Sequence, residues 1–320
     1  MAAIQSLKLS LTRTGYQDSG ADIAFALQSQ SNIVLLTPRL NPDPSNQSHW
    51  TFPDTETGIL SALSRGATHL WANTILFASH PLQTSRVVEF EDDVRIIGQP
   101  PLMVELFDDK EYVNNRLRRD GRFTMPKSWT VESEQDLEVL IGGEKLTFPI
   151  VGKPVRGRGS YGVKVCHDSV ELNCHVRALL NDSPRVMLEE YLAGEEATIT
   201  VFPPSPEDGK DDYWASPIVT RFNHQDGVAP FNSIIAVSSN SRVLTSEEFE
   251  KDVNYKKVTR ECEEVARLLK VTMAMRVDVR RSKEDGEFTL FDINMKPVSS
   301  ISHPSSSQGK GGMTNCCPRI

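Results

Sequence analysis

The sequence predicts a mixed α/β protein built in more than one lobe, and three observations carry that prediction. Short apolar runs of strand length alternate with amphipathic stretches of helical length. The 320 residues exceed one ordinary small domain. Apolar residues at 38% and charged residues at 24% give the composition of a globular chain. A net charge of -8 argues against sequence-independent nucleic-acid binding, which needs a clustered basic surface. No apolar run approaches the ~20 residues of a membrane span, so no membrane partner is expected. The N-terminal MAAIQSLKLSLTRTG has only Lys8 and Arg13 as charges and reads as a first strand, not a secretory signal. The five cysteines, Cys166, Cys174, Cys262, Cys316 and Cys317, are odd in number and lack C-x-x-C spacing. That pattern suits a reducing, cytoplasmic setting, and Cys166-His167 and Cys174-His175 are read as structural, not as metal ligands.

Taken in order, apolar runs at Asn32 to Leu36 and Val94 to Ile97 flank a helix-like Thr55 to Arg65 and a strand-like Ala67 to Ala72. Residues 41–53, with Pro42, Pro44 and Pro53, form a loop, and Ile97 to Pro101 (IGQPP) ends the first region near residue 105. Helices are expected over Asp109 to Arg119 and around Ser133 to Leu140, followed by a strand carrying Lys153. Ser169 to Leu180 reads as a helix, Arg185 to Leu192 and Ala197 to Phe202 as strands, and 203–212 as a polar loop. One helix over Glu247 to Lys270 would line Phe249, Val253, Val258, Cys262, Val265 and Leu269 along a core face.

The stretch KPVRGRGSYGVKV, residues 153–165, contains a G-x-G-x-x-G from Gly157 to Gly162. A dinucleotide fold needs such glycines to follow a strand and open a helix, but here they lead into the strand-like Gly162 to Cys166. A protein kinase would place its lysine after the loop and carry H-R-D and D-F-G segments. This chain has neither, and Lys153 comes before the loop. The residues alone leave two readings open, a flap whose backbone amides cradle phosphates and a glycine-rich hairpin turn.

In MAMRVDVRR, strand alternation turns Arg276 and Asp278 to one face, and in FTLFDINM it turns Asp292 and Asn294 together. Between them SKEDG is a hairpin signal, with Gly286 suited to a left-handed position. A three-residue loop, Glu284 to Gly286, pairs Asp278 with Asp292 and Arg276 with Asn294. Facing carboxylates repel, with β-carbons ~5 Å apart, so something cationic should sit between them. Two carboxylates and an amide carbonyl suit a hard divalent ion; a solvated hairpin is the alternative.

In their order, DDK at 108–110, Lys153 with its loop, MLEEYLAGEE at 187–196, RVD at 276–278 and DIN at 292–294 resemble the ATP-grasp superfamily. The likeness is strongest to the C-terminal region of D-alanine-D-alanine ligases and related carboxylate-amine ligases, and it covers roughly Asp109 to Pro297. It implies an ATP-grasp fold behind an N-terminal Rossmann-like α/β domain over 1–105. A small lobe with the glycine flap would span 106–188, a large lobe with the metal site 189–297, and an irregular, mobile tail 298–320.

The resemblance also implies ATP and Mg2+, or Mn2+, as cofactors. Lys110 and Lys153 would contact phosphates, with Gly159 and Ser160 in the flap. Glu189 would face the adenine edge, with Leu192 in the same pocket, and Glu196 the ribose hydroxyls. Asp278, Asp292 and Asn294 match magnesium ligands, while Arg276, with Lys153, has the catalytic part of steadying the transferred phosphoryl group. At 292 this chain has Asp where many relatives have Glu, and after Asn294 it departs from their closing helices. Glu56 stands where such ligases contact a first substrate and also fits a helix-capping role; Arg221 and His224, in TRFNHQDGVAPFN, fit an active-site loop or a plain connection. The implied function is an ATP-dependent ligase that joins a small carboxylate to an amine, both amino acids, through an acyl phosphate. Two alternatives stay open: a Mg-ATP-binding protein with little turnover, and a carboxylase-like enzyme. Neither substrate identity nor oligomeric state is legible.

Overall fold

The computed structural model describes residues 13–28, 33–72, 74, 76–84, 94–157, 160–224, 226–228 and 240–295. The strand expected before residue 13 and the tail at 298–320 lie outside these residues. The N-terminal part holds α1 (Arg13–Gln28), α2 (Glu56–Ser64), β1 (His69–Trp71), α3 (Pro81–Thr84) and β2 (Arg95–Ile97), with β1 and β2 parallel. Thr55 begins α2 because its side chain accepts from the Gly58 amide, and Glu56 follows in the first turn. An acid in that first turn complements the helix dipole. Residues 33–36 form no strand, contrary to expectation. Among the described residues the first sheet has two strands, β1 and β2, and residues 33–36 are in neither.

Two helices lead onward, α4 (Pro101–Phe107) and α5 (Lys110–Asp120). Asp109 caps α5 by accepting from the Tyr112 amide, and Gly121, at φ 78°, closes it in the left-handed region. A four-stranded antiparallel sheet follows, in the order β3-β6-β4-β5. Its strands are β3 (Ser128–Val131), β4 (Ile150–Pro154), β5 (Lys164–Cys166) and β6 (Val186–Glu190). Helices α6 (Glu134–Gly142) and α7 (Ser169–Asp182) pack on it around Val131, Leu137, Ile150, Leu172 and Leu188. The glycine segment therefore joins two antiparallel strands, Ile150 pairing with Cys166 and Gly152 with Lys164, as its sequence predicts. Cys166 lies in this core, where burial pushes its thiol up to about 11. His175 donates from Nε2 to the Gly152 and Gly162 carbonyls at 3.2 and 3.1 Å, tying both arms of the hairpin.

The second sheet runs β10-β9-β7-β11-β12, with β8 beside β7. Its strands are β7 (Glu196–Phe202), β8 (Trp214–Ala215), β9 (Val219–Arg221), β10 (Ser241–Val243), β11 (Met275–Arg281) and β12 (Phe288–Asn294). On one face Ala197, Ile199, Val201, Val277 and Val279 are fully buried and share a core with Val258, Cys262, Val265 and Leu269. The single helix expected over 247–270 is two, α8 (Ser246–Lys251) and α9 (Val253–Leu269). Asp252 separates them because its side chain accepts from the Asn254 amide and caps α9, which leaves Val253 72% exposed and off the predicted core face. Val113 and Leu117 of α5 belong to this same core, while Asn114 of α5 faces Met187 of the four-stranded sheet. No described helix is long and apolar enough to cross a membrane.

Candidate active site between the two sheets

Strand alternation gives the second sheet a polar face opposite its buried one. Across β7, β11 and β12, Thr198 pairs with Asp278 and Asp278 with Asp292; Thr200 pairs with Arg276 and Arg276 with Asn294. The predicted pairing of the two aspartates is therefore present, but it is reached by two offsetting departures. Nearer the turn the register is one residue shorter, with Val279 opposite Leu290 and Arg281 opposite Phe288. A tight turn, in which the Gly286 amide donates to Lys283 O, replaces the three-residue loop, and a bulge at Phe291 restores the alignment. The left-handed turn residue is Asp285, at φ 56°, and not Gly286. Asp carries that conformation more readily than most side chains.

The expected cationic company is present as side chains. Arg276 Nη2 meets Asp278 Oδ2 at 2.8 Å, and Lys110 Nζ lies 3.3 Å from Asp292 Oδ1. Asn294 Nδ2 donates to Asp278 Oδ2 at 3.3 Å and Asp292 Oδ2 at 3.2 Å, while Thr198 Oγ1 donates to Asp278 Oδ1 at 2.9 Å. The two carboxyls are not equivalent. Burial pushes Asp278 up, outweighing the attraction of Arg276. Burial also works against Asp292, but Lys110, Lys153 and Arg276 together hold it below the ordinary value.

Lys153 enters from the other lobe. Its Nζ is 2.6 Å from Glu189 Oε2, both side chains being almost fully buried, and it also donates to the Phe291 carbonyl at 3.3 Å. The bulge thus aims one backbone acceptor from the large lobe at a lysine of the small one. Glu189 is pushed up by burial, which Lys153 only partly offsets. Glu189 Oε1, Asp292 Oδ1 and Arg276 Nε are buried without a hydrogen-bond partner. Unpartnered polar atoms of this kind are costly unless a ligand or water meets them. Lys110 Nζ also donates to Gly157 O at 3.0 Å, which brings the glycine segment to the same place.

The chain between the sheets, residues 191–195, carries Leu192, which is buried, and delivers Glu196 to the end of the polar face. There His224 Nε2 is 2.9 Å from Glu196 Oε2. Ser160 is exposed, at φ 55° in a turn closed by Val163 N to Ser160 O; Gly159 lies outside the described residues. Arg221 pairs with Glu196 in register. Thr198 and the Phe291 carbonyl escaped the sequence reading, though the alternation Glu196, Thr198, Thr200 in EATIT was a signal for the first. A bulge carbonyl leaves no such mark.

Among the described residues no group of three or more His, Cys, Asp or Glu could hold a metal ion. The candidate set rests instead on two carboxylates and one amide. Its oxygen donors, among them Asp292 Oδ1, whose close neighbour is the Lys110 ammonium at 3.3 Å, fit a hard divalent cation, provided the Asn294 amide rotates to present Oδ1 in place of Nδ2.

Similarity to known proteins agrees with this layout. A D-alanine-D-alanine ligase of Bacillus anthracis is 39% identical over 59 residues, covering 18% of this chain and 19% of that protein. The chain thus aligns with about a fifth of that relative's length. The crystal structure of D-alanine-D-alanine ligase from Bacillus anthracis complexed with ATP superimposes with a TM-score of 0.55 at 21% identity, over 77% of this chain and 73% of that one. A Campylobacter jejuni biotin carboxylase-βγ-ATP complex gives 0.57 at 12% identity, over 80% and 54%. At such identities these structures speak for the fold, which is ATP-grasp. The profile described as D-ala D-ala ligase C-terminus matches residues 123–314, running past Asn294 into the stretch that the sequence reading set apart. Because that match takes in well over half of the chain, this protein belongs to the D-ala D-ala ligase C-terminus family.

Proposed function

We propose that this chain is an ATP-dependent carboxylate-amine ligase that uses magnesium and works through an acyl phosphate. The observation that carries the reading is the convergence of Lys110, Lys153 and Arg276 on Asp292 and Asp278 between two sheets. Three fixed cations beside two carboxylates suit a polyphosphate with a hard cation. In this reading Lys110 and Lys153 neutralise phosphate oxygens, Arg276 meets charge on the transferred phosphoryl group, and Asp278, Asp292 and Asn294 hold the metal, which manganese can replace. Bound there, magnesium supplies neutralisation of phosphate charge. Glu189 and Leu192 border the adenine, Glu196 takes the ribose hydroxyls, and Gly159 and Ser160 belong to the flap.

A substrate carboxylate oxygen bonds to the γ-phosphorus as the bond to ADP breaks. The amine nitrogen then bonds to the acyl carbon, inorganic phosphate leaves, and the amine proton passes to solvent. Positioning and charge neutralisation are what such transfer needs, and no side-chain nucleophile is required. Cys166 and Cys262 fit that view, since both are buried in cores. Small amino acids are the first acids and amines to test, because the curated relatives are D-alanine-D-alanine ligases.

A screen of amino-acid pairs with Mg-ATP, read as ADP and phosphate release, tests the proposal. Release that needs both an acid and an amine supports it. Release driven by bicarbonate favours a carboxylase-like enzyme, the second reading suggested by the Campylobacter likeness. A thermal shift by Mg-ATP with no release from any pair makes the protein a nucleotide-binding module.

A further inference from the structure

We infer that His224 is a positioning residue for the sugar end of the nucleotide: it fixes Glu196 so that the protein selects ribonucleotides over deoxyribonucleotides. The inference rests on the ATP reading above and adds to it a residue and a selectivity. Glu196 sits in one row of the sheet between two arginines, paired with Arg280 on β11 and Arg221 on β9. Its carboxylate is nearly buried, and both of its close contacts fall on one oxygen: His224 Nε2 at 2.9 Å and Arg280 Nη1 at 3.7 Å, each to Oε2. Oε1 takes part in neither, which leaves it to accept from a hydroxyl. Since a carboxylate only accepts, the His224 proton is on Nε2.

Geometry decides which neighbour sets the aim. Arg280 is already committed: Nε donates to Gly194 O at 3.1 Å, Nη1 to Gly227 O at 2.7 Å and Nη2 to Tyr191 Oη at 3.3 Å. It therefore ties Tyr191 and Gly194, in the 191–195 chain, to Gly227 and reaches Glu196 only as a long ion pair. Among the described residues His224 makes the one short hydrogen bond to Glu196. On either side of His224, Asn223 and Asp226 take left-handed φ values of 57° and 49°, and Gly227 packs so closely on Tyr191 and Val165 that a Cβ there would lie 2.9 Å from Tyr191 Oη and 3.2 Å from Val165 Cγ2. Backbone fixed by tight packing is what keeps one side chain in place at a site. Without His224, the carboxylate is free to close on Arg280 or Arg221 and turn away from the sugar.

The test is calorimetric titration of ATP, 2′-deoxy-ATP and 3′-deoxy-ATP, each with magnesium, into wild type, Glu196→Ala, His224→Ala, His224→Leu and His224→Gln. Wild type is expected to bind ATP about tenfold tighter than at least one deoxy analogue, a gap the size of one hydrogen bond to a charged group. His224→Ala and His224→Leu shrink that gap to that of Glu196→Ala, while His224→Gln, which keeps a donor, retains most of it. Either donor-deleting variant suffices if the other does not fold. An unchanged gap in a folded donor-deleting variant overturns the role of His224 while leaving ATP binding intact. ATP binding by wild type with no gap overturns it as well, since the sugar then does not meet Glu196. No ATP binding by wild type under any condition sinks the nucleotide reading and this inference together.

Discussion

Asp278 and Asp292 face each other across β11 and β12, yet their surroundings push their acidities in opposite directions, Asp278 up and Asp292 down. Facing like charges suggest at first that removing either one relieves repulsion. The three cations around Asp292 reverse that expectation for one of the pair. Asp292→Asn should lower the metal-free stability by roughly 1–3 kcal/mol, the range for losing hydrogen bonds to a charged group. Asp278→Asn should cost less, because burial already disfavours that carboxylate, although Arg276 then loses its 2.8 Å partner. Both should abolish magnesium-dependent turnover. The pH dependence follows from the sign of the shift. A carboxyl held below its ordinary value stabilises above that value and loses its contribution as pH falls through the folded value. The stability gap between wild type and Asp292→Asn, measured by denaturant melts, should therefore be wide at pH 7 and close below the ordinary 3.8.

Lys153 and Glu189 form the most deeply buried ion pair of the site, at 2.6 Å. Removing only the lysine leaves a carboxylate without its counter-ion, so Lys153→Ala should cost about 3–5 kcal/mol. Lys153→Met with Glu189→Gln removes both charges and should recover much of that loss. Neither form should melt higher when Mg-ATP is added, whereas wild type should. A double variant as unstable as the single one would show that packing of the lysine stem matters more than its charge.

Gly194, in the 191–195 chain between the sheets, lies against the β11–β12 hairpin, its amide donating to Arg281 O. A Cβ there would meet Arg281 Cβ and Lys283 O, both at 2.6 Å, and Lys283 C at 2.9 Å. Two of those atoms are backbone and cannot step aside. Gly194→Ala should destabilise the protein by roughly 1–3 kcal/mol, as overpacking does, and a chemical-denaturation midpoint checks it. Gly209, also in the large lobe, sits at φ 69°, and a Cβ there would have nothing within 4 Å; its replacement should cost backbone strain only, of order 1 kcal/mol.

The sequence showed the site better than it showed the way the site is assembled. Alternation along MRVDV and FDIN sufficed to place Arg276, Asp278, Asp292 and Asn294 on one face, because strand periodicity is strict over a few residues. The turn chemistry misled, with Asp285 and not Gly286 left-handed, and the pairing survived because the bulge at Phe291 added back the residue that the tighter turn removed. That bulge and the capping break at Asp252 depend on which neighbours a backbone group meets, and periodicity is blind to both. The same limit applies to Lys153, whose partners at Glu189 and Phe291 lie 36 and 138 residues away. Its position before the glycine loop suggested phosphates, but only the folded chain puts it beside Asp292.

Whether the chain forms an acyl phosphate can be read from the fate of one oxygen atom. If an acid labelled with 18O in its carboxylate is turned over with ATP and an amine, the bond to phosphorus is made by a carboxylate oxygen and broken at the acyl carbon. Mass spectrometry of the released inorganic phosphate should then find one 18O per ADP formed, with none when the amine alone is supplied. Phosphate released without label, at the same rate with or without the acid, would mean that water and not the carboxylate attacks ATP, and would contradict the assignment of this site to carboxylate activation.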